Sequence, residues 1–184
     1  MGEYTGAVLI TLAVIVVLIV LIAVGWRNRL RRQSDVSAPP EIPLDAHGEP
    51  ALGAKIGEPS EGLYVCTTTA EDWLDRIAAH SLGIRTNAQL SIHEEGVLLV
   101  RRGAPDLFIL RSCLSGASRS AGMAGKFVEK DGLLILHWML GSQAVDTGFR
   151  PRYHQELPDL LTRILALSTG HNETSSPAEK KENQ

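Results

Sequence analysis

The chain has 184 residues, with 18 Lys and Arg against 21 Asp and Glu and a formal charge of −3, a size that allows one ordinary domain plus appendages. Between residues 61 and 168 the charge is nearly balanced with no basic cluster, and aromatics are scarce, which excludes the electrostatic and stacking footprint of a nucleic-acid binder there. The two cysteines, Cys66 and Cys113, lie far apart in apolar runs, which suits reduced thiols in a cytosolic domain better than a disulfide framework.

From Gly6 to Trp26 the chain runs 21 residues without a charged side chain, GAVLITLAVIVVLIVLIAVGW. A helix of about 20 residues crosses a ~30 Å hydrocarbon core, so this is a membrane-spanning length. Glu3 is the one charged side chain before it, whereas Arg27, Arg29, Arg31 and Arg32 follow it. Basic flanks stay on the cytoplasmic side. This predicts a single-pass protein of the cell membrane, with residues 1–5 outside, a transmembrane helix over 6–26 and the rest in the cytoplasm. A cleaved signal peptide would instead place its positive charge ahead of a shorter apolar stretch. Tyr4 and Trp26 stand at the two edges of the span, where amphipathic rings favour the interface.

Residues 27–60 follow as a basic flank and a linker. Pro39, Pro40, Pro43, Pro50 and Pro59 punctuate it, and it lacks an apolar period that could bury a face. A flexible coil over residues 33–60 would reach about 30 Å.

Residues 61–168 hold 11 basic and 12 acidic side chains and consist of short runs rich in Val, Ile, Leu and Thr between turn residues, the pattern of an antiparallel β domain. LYVCTTT (63–69) reads as the first strand. In AEDWLDRIAAHSLG (70–83), Trp73, Leu74, Ile77 and Ala78 recur at helical spacing behind acidic residues, which predicts a short helix. AQLSIHEEG and VLLVRRG form a hairpin about Glu94-Glu95-Gly96. LFILRSCL (107–114) is a fourth strand, and SGASRSAGMAG (115–125) a loop of small residues. KFVEKDGLLILHWMLG places a hairpin turn at Lys130-Asp131-Gly132, because Asp-Gly between β-prone runs is a strong turn signal. SQAVDTGFRPR is the seventh strand. In HQELPDLLTRILALS (154–168) the leucines recur at three and four, one amphipathic helix with Pro158 in its first turn. Residues 169–184 have no large apolar side chain and read as a disordered tail; a sequon at Asn172 would carry no meaning in a cytosolic tail.

Seven antiparallel strands in a partly closed sheet, capped by a C-terminal helix, is the order of the pleckstrin-homology (PH)-like fold. More narrowly, the chain resembles actinobacterial single-span membrane proteins with a cytoplasmic PH-like domain. The resemblance rests on the uncharged span ending in Gly25-Trp26-Arg27, GLYVCTTT after a Pro-rich linker, HSLGIR at 80–85, EEGVLLVRRG at 94–103 and HWMLGSQAVDTGFR at 137–150. That family is described only as membrane or transport proteins, and its genes often lie near genes of pyrimidine and carbamoyl-phosphate synthesis. Lipid-binding PH domains cluster basic side chains about the first loop between strands, whereas here Glu71, Asp72 and Asp75 stand beside Arg76 and Arg85. The mixed charge argues against phosphoinositide headgroups.

Asp146-Thr147-Gly148 is the triplet with which aspartic proteases present a carboxylate. A retropepsin-like enzyme pairs two such loops across a dimer so that two carboxylates share one proton. Here Phe149 stands where a small residue is needed, and the chain turns at once into Arg150-Pro151-Arg152, so Asp146 reads as a structural carboxylate facing a turn near Arg150. Gly125-Lys126 resembles a phosphate loop, yet Ser120 replaces its first glycine and Phe127 its hydroxyl residue. The segment is instead a flexible loop, with Arg119 and Lys126 as candidates to meet a partner. The six histidines show no metal-ligand spacing, and no catalytic set or cofactor is expected. The resulting expectation is a membrane-anchored adaptor that binds a protein partner or itself, with an accessory subunit of a transport assembly as the alternative and an aspartic protease third.

Overall fold

In the computed structural model, residues 3–32, 36–48, 50–127 and 132–172 are described. They fall into two compact units, Met1–Asp35 and Val36–Gln184.

The first unit is helix α1, Glu3–Arg32, about 45 Å long at 1.5 Å per residue. Trp26, Arg27, Arg29, Arg31 and Arg32 lie in its last two turns. Val8–Gly25 is long and apolar enough to cross a membrane, and none of it is buried. A helix that is apolar all round needs a protein core or a bilayer to cover it.

The second unit is built on one open antiparallel sheet. Its strands are β1 (Ser60–Thr69), β2 (Thr86–His93), β3 (Gly96–Arg101), β4 (Leu107–Leu110), β5 (Leu114–Ser120), β8 (Leu133–Leu140) and β9 (Gln143–Pro151). The order is β4-β3-β2-β1-β9-β8-β5, and β6 (Gly122–Met123) with β7 (Lys126–Phe127) makes a separate small hairpin. Helix α2, Leu157–Asn172, packs on β5 and β8. Leu160, Ile164 and Leu167, at helical spacing, meet Tyr64, Leu134, Leu136, Trp138 and Phe149 from the inner face of the sheet. Full burial of each such side chain contributes about 1.5–3 kcal/mol. A smaller cluster of Val65, Cys66, Met123, Leu133 and Ile135 lies apart from that core, with Met123 supplied by the β6–β7 hairpin.

A polar chain runs through the main core. Trp138 Nε1 donates to Thr147 Oγ1 at 2.8 Å, Thr147 and Thr67 hydroxyls meet at 2.8 Å, Thr67 meets the Tyr64 hydroxyl at 2.8 Å, and Tyr64 donates to the Leu82 carbonyl at 2.7 Å. Burial in this site pushes the Tyr64 pKa far up, against the hydrogen bond from Thr67 and the nearby Arg101 cation.

Several sequence expectations change. The helix over 70–83 does not form. Asp72 Oδ1 accepts from the Leu74 amide at 2.8 Å, an Asx turn that competes with helical pairing. The Ile77 amide then donates to Thr67 O and the Thr67 amide to Leu82 O, so the segment continues the sheet along the part of β1 that β2 leaves uncovered. Ile77 and Leu82 are buried, while Trp73 and Leu74 are exposed.

The single strand expected over 107–114 is broken by a 3-10 turn at Arg111–Cys113. This turn carries the chain from the β4 edge of the sheet to the β5 edge. The expected small-residue loop is therefore largely β5, whose Ala117 packs against the main core while Ser118 faces the other way, toward His137. The seven strands are thus seven, with a different membership: Lys126 and Phe127 of KFVEK form β7, outside the sheet, and its last three residues lie outside the described residues. The Lys130-Asp131 part of the expected turn lies outside the described residues. Helix α2 also runs on to Asn172, into the segment expected as tail.

The expected linker is held on the domain. Val36 and Ile56 pack against the main core, Leu52 is buried, and the Val36 carbonyl lies 3.0 Å from His80 Nε2. Residues 52–56 run along the end of β2, with the Ile56 amide donating to Ile92 O and the Glu94 and Glu95 amides to Ala54 O and Leu52 O. Arg163 of α2 donates to the Ile56 carbonyl at 3.1 Å. Backbone pairing supplies the attachment that apolar periodicity could not reveal.

Candidate functional site

Two polar surfaces lie on the face of the sheet opposite α2. The first is a groove of about 670 Å³ across β3, β2, β1 and β9. Strand alternation turns Asn87 and Gln89 of β2, Leu63 of β1 and Val100 of β3 outward in one patch. Arg102, Arg150 and Arg152 project from the ends of β3 and β9 into its lining, with His154 beyond them. Among the described residues Glu61 is its one acidic side chain, and it pairs with Arg152 at 3.3 Å. Both partners are mostly exposed, so the pair contributes at most about 1 kcal/mol and leaves Arg152 able to exchange partners. Among the described residues the lining brings three guanidiniums together, a chemistry fitted to an acidic ligand, since arginine binds carboxylates bidentately.

The second surface is a hydrogen-bonded row across β5, β8 and β9. Asp146 lies inside β9, paired with His137 of β8 on one side and Thr68 of β1 on the other. It does not face a turn near Arg150; its Oδ1 is 2.6 Å from His137 Nδ1. On the far side of the ring, His137 Nε2 is 2.8 Å from Ser118 Oγ of β5. Ser118 pairs with Ile135 in the ladder, so it sits diagonal to His137 on the same face. The Thr68 hydroxyl is buried without a partner among the described residues. The carboxylate is thus engaged by an imidazole, not by a second carboxylate as a shared-proton protease dyad requires.

Arg119 lies exposed in β5, paired with Leu134 and outside the groove lining, and Lys126 opens β7. Sequence reasoning missed both surfaces. The groove is assembled from four strands and their ends, and Ser118 and Asp146 stand 19 and 9 residues from His137, with no local spacing that marks them. The signal that was available is the register: once β8 and β9 are paired about Gly141-Ser142, His137 must face Asp146. Among the described residues no group of three His, Cys, Asp or Glu side chains has the arrangement of a metal site.

An open seven-stranded antiparallel sheet covered on one face by a C-terminal helix defines a PH-like domain. A family model described as "Bacterial PH domain-like" matches residues 40–164, and the chain belongs to that family. The match begins upstream of β1, within the segment expected as linker. Among solved structures, a chain of "The 8S snRNP Assembly Intermediate" is similar at 10% identity and a TM-score of 0.46, covering 79% of this chain and 94% of its own. No curated protein matches.

Proposed function

We propose that this protein is a membrane-anchored adaptor whose PH-like domain holds an acidic segment of a protein partner at the cytoplasmic face of the membrane. The observation that carries the reading is the groove, where Arg102, Arg150 and Arg152 converge over an apolar floor of Leu63 and Val100 with the Asn87 and Gln89 amides between them. An extended acidic chain would find guanidiniums for its carboxylates and amide groups for its backbone. The anchor is α1, and its orientation follows from the arginines that flank only its C-terminal end.

The test joins a binding measurement to a cellular one. The domain should bind an oligoglutamate peptide in a salt-sensitive way, and Arg102→Glu with Arg152→Glu should abolish binding without unfolding the domain. A photocrosslinker at Gln89 in the native membrane should capture a protein in the wild type and lose it in the charge-reversed variant. Equal binding by both forms would refute the groove as the docking site. Replacing residues 6–26 by an unrelated span should preserve the function of an adaptor and would destroy that of a transport subunit. Protease added to intact cells should spare the domain, whereas digestion would reverse the topology.

A further inference from the structure

We propose that Ser118, His137 and Asp146 form a nucleophilic centre that accepts small acyl groups from carboxylic esters and passes them to water. The order of contacts fixes the roles. A carboxylate only accepts hydrogen bonds, so the proton between Asp146 Oδ1 and His137 Nδ1, 2.6 Å apart, belongs to the ring. In the neutral imidazole Nε2 is then the acceptor, and it faces Ser118 Oγ at 2.8 Å. This is the arrangement in which a histidine, oriented by a carboxylate, takes the proton of a serine as its oxygen attacks.

Access and rigidity support the same reading. The His137 side chain is 37% exposed and that of Asp146 20%, so the relay is open to small molecules while most of the carboxylate is covered. Gly116 stands opposite His137 in the ladder, and among the described residues nothing lies within 4 Å of the place where its Cβ would be. That leaves open space beside the imidazole and two residues along the strand from Ser118. Met139, two residues beyond His137 on the same strand face, is exposed and offers an apolar contact for an acyl chain. The three residues come from three adjacent strands, which fix their backbones better than loops would. β5 is the last strand of the sheet, so its outer edge has no ladder partner among the described strands, and we assign stabilisation of the developing oxyanion to amide N–H groups on that edge.

In the reaction, Ser118 Oγ forms a bond to the acyl carbon while its proton passes to His137 Nε2. The tetrahedral adduct collapses by breaking the bond to the alcohol oxygen, which leaves with the proton from Nε2, and the acyl group stays on Ser118. Water then attacks that carbonyl, gives its proton to Nε2, and releases the carboxylic acid as the proton returns to Ser118 Oγ. No oxidant, metal or further reactant is required. The centre is distinct from the arginine groove, so its failure would leave the adaptor reading standing, and the reverse also holds.

The experiment treats the full chain in detergent with a fluorophosphonate probe, which bonds through phosphorus to an activated serine and expels fluoride, and maps the adduct by peptide mass. Turnover of p-nitrophenyl acetate is followed in parallel. The expected result is one adduct, on Ser118, absent in Ser118→Ala and reduced at least tenfold in His137→Gln and Asp146→Asn. Folding of each variant is checked by thermal melting. If the histidine and aspartate variants fail to fold, Ser118→Ala, with loss of both adduct and turnover at unchanged stability, still supports the proposal. Absence of an adduct on folded wild-type protein overturns it. So does an adduct at another residue, or a Ser118 adduct undiminished in a folded His137→Gln protein, because a purely structural row would change stability and not reactivity.

Discussion

The buried polar chain of the core allows one substitution to be worked through in numbers. Tyr64 has one hydroxyl proton and gives it to the Leu82 carbonyl, which can only accept. Tyr64 must therefore accept from Thr67, Thr67 from Thr147, and Thr147 from the indole N–H of Trp138. Every proton is used once, and all four side chains are buried. Thr147→Val preserves shape but removes the one oxygen that accepts from Trp138. It leaves an orphaned buried N–H, at about 1–3 kcal/mol, and loses the bond donated to Thr67, at about 1 kcal/mol net. The expected destabilisation is roughly 2–4 kcal/mol, which for a domain of this size lowers Tm by roughly 8–16 °C. Thr147→Ser keeps the hydroxyl and loses one methyl, at about 1 kcal/mol. Thermal and urea unfolding of the domain beginning at Val36, followed by tryptophan fluorescence, should rank wild type above Ser above Val. A Val variant as stable as the Ser variant would refute the proton assignment and the role given to the network.

A domain fragment that begins at Glu61 should be less stable than one beginning at Val36, by roughly 2–5 kcal/mol. It loses the burial of Leu52 and the backbone pairing of residues 52–56; urea midpoints of the two decide. Iodoacetamide on the native protein should modify half-exposed Cys113 well before buried Cys66, as peptide mass mapping would show. Burial also pushes the Cys66 pKa up, against the opposing pull of Arg76. The folded state then keeps a proton that the unfolded thiol loses above about pH 8.5, so stability is full below that pH and falls as pH rises beyond it. Cys66→Ala should flatten the decline between pH 8 and 9.5 measured by urea unfolding, and an unchanged slope would assign it to other groups.

What the sequence made legible was whatever depends on neighbours in the chain. The β2–β3 hairpin follows from alternation about Glu94-Glu95-Gly96, β8 from an apolar run with Gly just beyond its end, and α2 from leucines at three and four. The errors occurred where a distant partner outweighed local preference. Residues 70–83 have a helical apolar period, yet the uncovered end of β1 offers backbone donors and acceptors that they fill instead. Gly116, Ala117 and Ser118 have no strand signature, and they join the sheet through their pairing with His137, Leu136 and Ile135 of β8. The groove and the Ser118-His137-Asp146 row depend on register among strands far apart in sequence. No pattern within one segment could disclose them.

The adjacent residues Asp146 and Thr147 have a consequence for how this sheet finds its alignment. β9 sits between β1 and β8, so its position sets the pairing of both halves. Apolar alternation alone specifies it weakly, since β8 is apolar on both faces over Leu133–Leu136. The polar pair supplies the missing discrimination. A slip of one residue would exchange the two faces of the strand, driving a carboxylate into the core beside Trp138 and turning outward the hydroxyl that the indole needs. Burying an unpaired carboxylate costs several kcal/mol, more than the slip could return in apolar contacts. Two neighbouring side chains, one facing each way, thus act as a key that admits a single threading of the central strand.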